Sequence, residues 1–216
     1  MSAVIAGFYG KLPARGDFVR GGLPRGFTDP WDDWLAPAIA GSRARMGEDW
    51  LPAFLEAPVW RFILAPGLCG QRAALGLMLP SVDRAGRYFP LMFAALFDGG
   101  PAADDSAWLD ACEAAGRAAL EQDAGPEQIG AMLGLPGAAP GAGETAPLQS
   151  IWWTDGAPRV PATRLVISGM PDACVYATML GAAADDASQA AAAQANTGSD
   201  AVPETPTGGD PWESPS

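Results

Sequence analysis

The stretch A-A-L-G-L-M-L-P-S-V-D-R-A-G-R-Y-F-P-L-M-F-A-A-L-F, residues 73–97, decides the fold. Its ends, residues 73–79 and 88–97, are apolar runs of strand length. Between them S-V-D-R-A-G-R supplies turn chemistry, with Asp83 and Gly86 as ordinary turn formers. The reading is an antiparallel pair of buried strands. Working outward, residues 4–9 read as a short first strand ending at Gly10, and 59–64 as a β-rich strand before the turn A-P-G. Residues 150–153 and 160–167 read as late strands around T-D-G-A-P-R. Trp31, Trp34, Leu35 and Ile39 have helical spacing, which predicts a helix to about Met46 with Asp29 as its N-cap and Pro30 at its first position. Residues 50–55 add a further helical turn or two. Residues 105–121 read as a helix capped by Ser106, with Trp108, Leu109, Cys112, Ala115 and Leu120 on one face. Residues 126–133 and 171–180 complete the helices. The expected fold is α/β, a single domain with a mostly antiparallel sheet flanked by helices in α-β-α layers.

The 216 residues suit one domain with an appendage, and 49% of them are hydrophobic, enough for a sizeable core. Residues 1–182 form the expected domain. Residues 183–216 read as a disordered tail: Ala-rich, then Pro, Gly, Ser and acid, with Trp212 as a lone large apolar residue. Residues 135–147 read as a Pro/Gly-rich surface loop. No apolar run approaches the roughly 18 residues of a membrane span. The first ten residues lack a secretory leader, so a cytoplasmic protein is expected. Cys69, Cys112 and Cys174 are far apart and form no C-x-x-C pair, so three reduced, mostly buried thiols are expected.

Histidine is absent, which removes Ser-His-Asp and Cys-His pairs, H-E-x-x-H metal sites and histidine bases. The net charge of −12 is uneven. Residues 1–97 carry ten basic and eight acidic side chains, residues 98–182 three and eleven, and residues 183–216 none and six. Phosphate neutralisation needs a basic face, so nucleic acid is not an expected partner. A local anion or acidic-partner site remains open in the N-terminal half.

Two blocks hold Arg, Asp, Gly and Pro among aromatics in a way core packing does not demand: G-F-Y-G-K-L-P-A-R-G-D-F-V-R (residues 7–20) and L-P-S-V-D-R-A-G-R-Y-F-P-L (residues 79–91). Lys11, Arg15, Asp17 and Arg20 belong to the first, and Asp83, Arg84 and Arg87 to the second. G-K-L-P lacks the spacing and the Ser/Thr of a phosphate loop. Gly16 permits a tight turn in which Arg15 and Asp17 tie the loop to neighbouring backbone, or the same loop binds a partner. Arginine makes planar bidentate pairs, so Arg87 is expected to bond Asp17 or another motif carboxylate. Most of the tryptophans have core spacing. In Trp60-Arg61 and Trp152-Trp153, alternation on a strand turns one member of each pair outward or under a loop, making them interface candidates. The pairs Asp32-Asp33 and Asp104-Asp105 sit at expected helix starts, where the dipole favours negative charge.

These two blocks, with L-P-R-G-F-T-D-P-W-D-D-W-L, A-P-V-W-R-F-I-L-A-P-G-L-C-G and S-I-W-W-T-D-G, resemble the TagF family, also called ImpM-like, of the bacterial type VI secretion system. The resemblance runs in order from about Ile5 to about Leu180. It implies a non-catalytic accessory protein, a post-translational negative regulator that binds the forkhead-associated scaffold protein and restrains assembly or firing of the apparatus. It implies no cofactor, and no role transfers to the acidic tail. Two other readings stay open: a structural subunit of the apparatus, and a histidine-free hydrolase using Asp17, Asp83 and Arg87.

Overall fold

A computed structural model describes residues 4–98, 105–122, 124–136 and 146–183. Seven strands form one sheet: β1 (Ile5–Gly10), β2 (Val19–Gly21), β3 (Trp60–Leu64), β4 (Ala73–Leu79), β5 (Leu91–Phe97), β6 (Gln149–Thr154) and β7 (Thr163–Ser168). Their spatial order is β2-β1-β5-β4-β3-β6-β7, and every neighbouring pair is antiparallel. Among the described residues five α-helices cover the sheet: α1 (Arg25–Met46), α2 (Trp50–Leu55), α3 (Ser106–Glu121), α4 (Pro126–Met132) and α5 (Ala173–Met179).

The hairpin of β4 and β5 lies at the centre of the sheet, with Gly76 opposite Ala94 and Leu79 opposite Leu91. Every residue of both strands is buried. Such continuous apolar strands are more usual in parallel sheets, and here they follow from helices on both faces. One core joins Phe27, Trp31, Leu35, Phe54 and Tyr176 of α1, α2 and α5 to Phe62, Met92 and Trp152 of the sheet. The other joins Trp108, Leu109 and Ile129 of α3 and α4 to Phe8, Leu77 and Phe93. The α-β-α layering read from the sequence is what the chain adopts.

Several boundaries differ from expectation. The strand after the turn begins at Leu91 and not at 88, because Pro90 has no N–H to give the ladder. Val82 and Tyr88 still form an isolated bridge inside the connector. Helix α1 begins at Arg25, with Pro24 and not Asp29 at its N-cap, so Pro30, Asp32 and Asp33 lie inside it. Pro30 withholds the hydrogen bond that the Gly26 carbonyl would receive, and the chain crosses there at Gly70, where a β-carbon would come within 2.6 Å of that oxygen. Helix α3 is capped by Asp105, whose carboxylate accepts from the Trp108 N–H at 3.3 Å, and not by Ser106. The last strand is Thr163–Ser168, and Val160 instead forms a small bridge with Ala157. β2 was not expected, because three residues between glycines carry no period. The expected tail, residues 183–216, lies outside the described residues except for Ala183, as do most of the 135–147 loop and Asp104.

Among the described residues no helix is long and apolar enough to cross a membrane. All three cysteines are free; Cys69 and Cys112 are buried and Cys174 is exposed.

Candidate functional site

The register brings the two motif blocks together. Tyr9 pairs with Met92 and Leu79 with Leu91, so the loop leaving β1 and the connector between β4 and β5 emerge at the same end of the sheet. Where they meet, the Lys11 ammonium lies 2.5 Å from Asp83 Oδ2, with the two side chains 5% and 0% exposed. Arg87 Nε donates to the same oxygen at 2.7 Å. The backbone N–H groups of Ala85 and Arg87 each donate to Oδ1 at 2.9 Å. A buried carboxylate is tolerable only with such a set of donors. Burial pushes the Asp83 carboxyl up, but the hydrogen bonds from Lys11, Arg87 and Ala85 outweigh it and hold the group well below the usual carboxylate range.

Backbone ties complete the knot. The Ser81 hydroxyl donates to the Lys11 carbonyl at 2.6 Å, and the Arg84 N–H donates to the Arg15 carbonyl at 2.9 Å. The Arg87 guanidinium donates to the Gly16 carbonyl and stands 3.8 Å from the fully exposed Asp17 carboxylate. Gly86 takes a φ of +78° so that its N–H can close the turn on the Asp83 carbonyl.

One aromatic ring lies over the buried ammonium. Lys11 Nζ lies 4.4 Å from the Phe18 ring centroid. Phe18 stacks on Tyr9 at 5.3 Å and meets Phe89 edge-on at 4.8 Å, yet stays 44% exposed. The Tyr9 hydroxyl donates to Asp32 of α1 at 3.0 Å. Burial first, and then the Asp32 carboxylate, push the Tyr9 phenol well above its ordinary range. Phe18, Tyr9 and Ser81 were not singled out in the sequence, and Asp32 was read only as a charge at a helix start. The signal available was the alternation of aromatics with charge in residues 7–20.

The candidate residues therefore separate. Lys11 and Asp83 are buried and pair with each other. Arg87 bonds Asp83 directly and approaches Asp17 only at longer range. Arg15, Arg20 and Arg84 are exposed, and neither Arg15 nor Arg84 pairs with a carboxylate of the described residues. The Arg15 guanidinium lies 3.5 Å from where a Gly125 β-carbon would stand, just ahead of α4.

Trp60-Arg61 and Trp152-Trp153 do not form the open surface that strand alternation suggested, because helices cover both faces of the sheet. Trp60 and Trp152 are buried, and the Trp60 indole donates to the Met179 carbonyl at 3.0 Å. Arg61 pairs with Asp110 at 2.6 Å and Glu113 at 3.3 Å on α3. Trp153 is partly buried beneath the Arg164 guanidinium.

Chemically, Asp83 is committed to four donors while Asp17 points into solvent, so the two carboxylates do not converge with Arg87 on a cleft. A groove of about 370 Å³ between β1, β2 and α4 is lined by Arg20 and Glu127, not by Asp17, Asp83 or Arg87. Among the described residues no group of three or more Cys, Asp or Glu is placed to hold a metal ion.

Comparison with known proteins agrees with the fold. The chain resembles the crystal structure of PA0076 from Pseudomonas aeruginosa PAO1 with a TM-score of 0.75 and 33% identity, over 83% of this chain and 96% of that one. No curated protein matches the chain. Residues 7–134, which span both motif blocks, match the model of the TagF N-terminal domain, described as type VI secretion system-associated. The chain belongs to this TagF family of type VI secretion system-associated proteins.

Proposed function

We propose that this chain is a non-catalytic cytoplasmic regulator that restrains the type VI secretion system by binding the forkhead-associated scaffold protein through the two joined loops. The observation that carries this reading is the division of labour among the motif charges. Lys11, Asp83 and Arg87 saturate one another and hold the loops rigid, while Arg15, Arg84 and Phe18 are presented outward. Exposed arginines and an exposed aromatic on two joined loops have the composition of a binding hot spot. A general base needs a free lone pair facing a cleft, and Asp83 offers none.

Deletion and overproduction in the source bacterium test the reading. A restraining regulator raises secretion when deleted and lowers it when overproduced. Loss of secretion on deletion instead indicates an assembly subunit. Turnover of a phosphoester or ester substrate that Arg87→Ala abolishes in a folded protein indicates the hydrolase.

A further inference from the structure

We infer that the outer edge of β7 is an interface, at which two copies of this chain pair antiparallel about a two-fold axis through Val166. β7 ends the sheet, and among the described residues its partner strand is β6 alone. The register fixes where its backbone groups point. The Gly169 N–H donates to the Leu148 carbonyl at 2.7 Å, one step beyond the Gln149–Ser168 pair. Bonded and non-bonded pairs alternate in an antiparallel ladder, so Ile167, Leu165 and Thr163 aim their N–H and C=O groups at β6. On the far side of β6 the Ala65 N–H donates to the Gln149 carbonyl at 3.0 Å, so Gln149, Ile151 and Trp153 turn to β3, as that alternation requires. Val166 and Ser168, with Arg164, therefore direct theirs outward, away from β6.

This edge lacks the devices that usually keep strands apart. Its six residues, T-R-L-V-I-S, include no proline or glycine, and its ladder with β6 has no bulge. Arg164, its one charge, lies over the Trp153 ring at 6.0 Å. The opposite edge of the sheet is only the three residues of β2. Leu165, Val166 and Ile167 stay half-buried although they extend both cores, Leu165 and Ile167 on the α1 and α5 side and Val166 on the α3 and α4 side.

The edge is complementary to itself. Of the antiparallel registers in which outward groups meet outward groups, the one centred on Val166 engages all three outward residues. Val166 exchanges both bonds with its own counterpart, and Ser168 exchanges them with Arg164 of the second copy. Directly opposed residues share a face, so Leu165 meets Ile167 of the second copy on one side of the sheet and the two Val166 side chains meet on the other. Each Arg164 faces a serine and stands about 13 Å along the strand from its like. The result is an isologous two-fold dimer. Its joined sheet has fourteen strands, and the two β1 strands that lead into the motif loops lie eleven strand spacings apart, roughly 50 Å. Where the motif loops bind a scaffold protein, the dimer presents two such sites at once. The pairing does not depend on that reading, and its test contains no partner.

The test is sedimentation equilibrium of the full-length chain from about 1 to 200 µM, at about 0.3 M salt to screen the repulsion between two chains of net charge −12. The expected mass rises with concentration from the 22.2 kDa of one chain toward twice that value. Val166→Pro removes an N–H that gives nothing to β6, so the chain keeps its own ladder. Val166→Lys sets like charges opposite each other. Both variants are expected to stay monomeric at every concentration, with melting followed by tryptophan fluorescence to show that each is folded. In a Cys174→Ser background, which removes the exposed thiol, Val166→Cys is expected to oxidise to a covalent dimer, because a bonded pair sets its Cα atoms about 5.5 Å apart. Ser168→Cys, about 13 Å from its like in this register, is expected not to. A chain that is monomeric throughout overturns the inference and leaves the edge to a strand of another protein. A dimer that persists in either folded Val166 variant, or a Ser168→Cys chain that links as readily as Val166→Cys, also overturns it.

Discussion

Lys11→Met removes the ammonium of the buried pair while keeping most of its apolar stem. Breaking a buried ion pair from one side destabilises by about 3–5 kcal/mol, because the remaining charge is left desolvated. Here Asp83 keeps three of its four donors, Arg87 Nε at 2.7 Å and the N–H groups of Ala85 and Arg87 at 2.9 Å. The expected loss therefore sits at the low end, about 3 kcal/mol, which for a domain of this size is about 6–12 °C in melting temperature. The assay is urea or thermal unfolding followed by tryptophan fluorescence, with Lys11→Met, Asp83→Asn and the double variant as a cycle. Because the double variant buries neither charge, it is expected to be more stable than the sum of the single losses predicts. The sign with pH follows from the depressed Asp83 carboxyl. Its stabilisation is fully present above the unfolded value near 4, by the usual reference for aspartate, and is lost as pH falls through the folded value. In Lys11→Met one of the lowering hydrogen bonds is gone, so the window between the unfolded and folded values narrows and the acid loss is smaller and complete at a higher pH. A Lys11→Met protein within about 1 kcal/mol of the unmodified one, or a strictly additive cycle, refutes the reasoning.

Other outcomes follow from the same contacts. Arg87→Ala is expected to lower stability by about 1–2 kcal/mol, less than Lys11→Met, because its guanidinium is 58% exposed although its acceptor is buried; denaturant midpoints check the order. Gly7→Ala is expected to abolish soluble expression, since a β-carbon there would lie 2.1 Å from the Gly21 carbonyl oxygen and neither backbone can retreat without breaking the β1–β2 pair. At pH 8 a thiol reagent is expected to label Cys174 quickly and Cys69 and Cys112 only on unfolding. Burial pushes the latter two thiols up to about 12, where the reactive thiolate is scarce.

The sequence reached the layered fold because its strongest signal was local. Residues 73–97 combine two apolar runs with a turn that only Asp and Gly fill comfortably, and the helix containing Trp108 and Leu109 shows its buried face by spacing alone. It missed what depends on the complete strand order. Alternation turned one member of each of Trp60-Arg61 and Trp152-Trp153 outward or under a loop, and only the strand order and the helices on both faces put Arg61 against Asp110 and Glu113 of α3 while Trp60 and Trp152 enter the core. Pro30 looked like a helix start because its fixed φ and missing N–H suit the first helical position, yet it lies within α1, where the chain crosses at Gly70. Within the site, the residue types were legible before their pairing. Arg87 was expected to find a motif carboxylate and finds Asp83, four positions away in its own turn. That Lys11 shares this carboxylate across 72 residues requires the β1–β5 register, which local pattern does not specify.

The most direct measurement is isothermal titration of the full-length chain with the purified forkhead-associated scaffold protein, beside a folded Arg15→Glu/Arg84→Glu variant. The account predicts saturable binding without turnover, weakened at least about tenfold in the variant, as expected for hot-spot arginines. No binding by the unmodified chain, or equal binding by the variant, contradicts it.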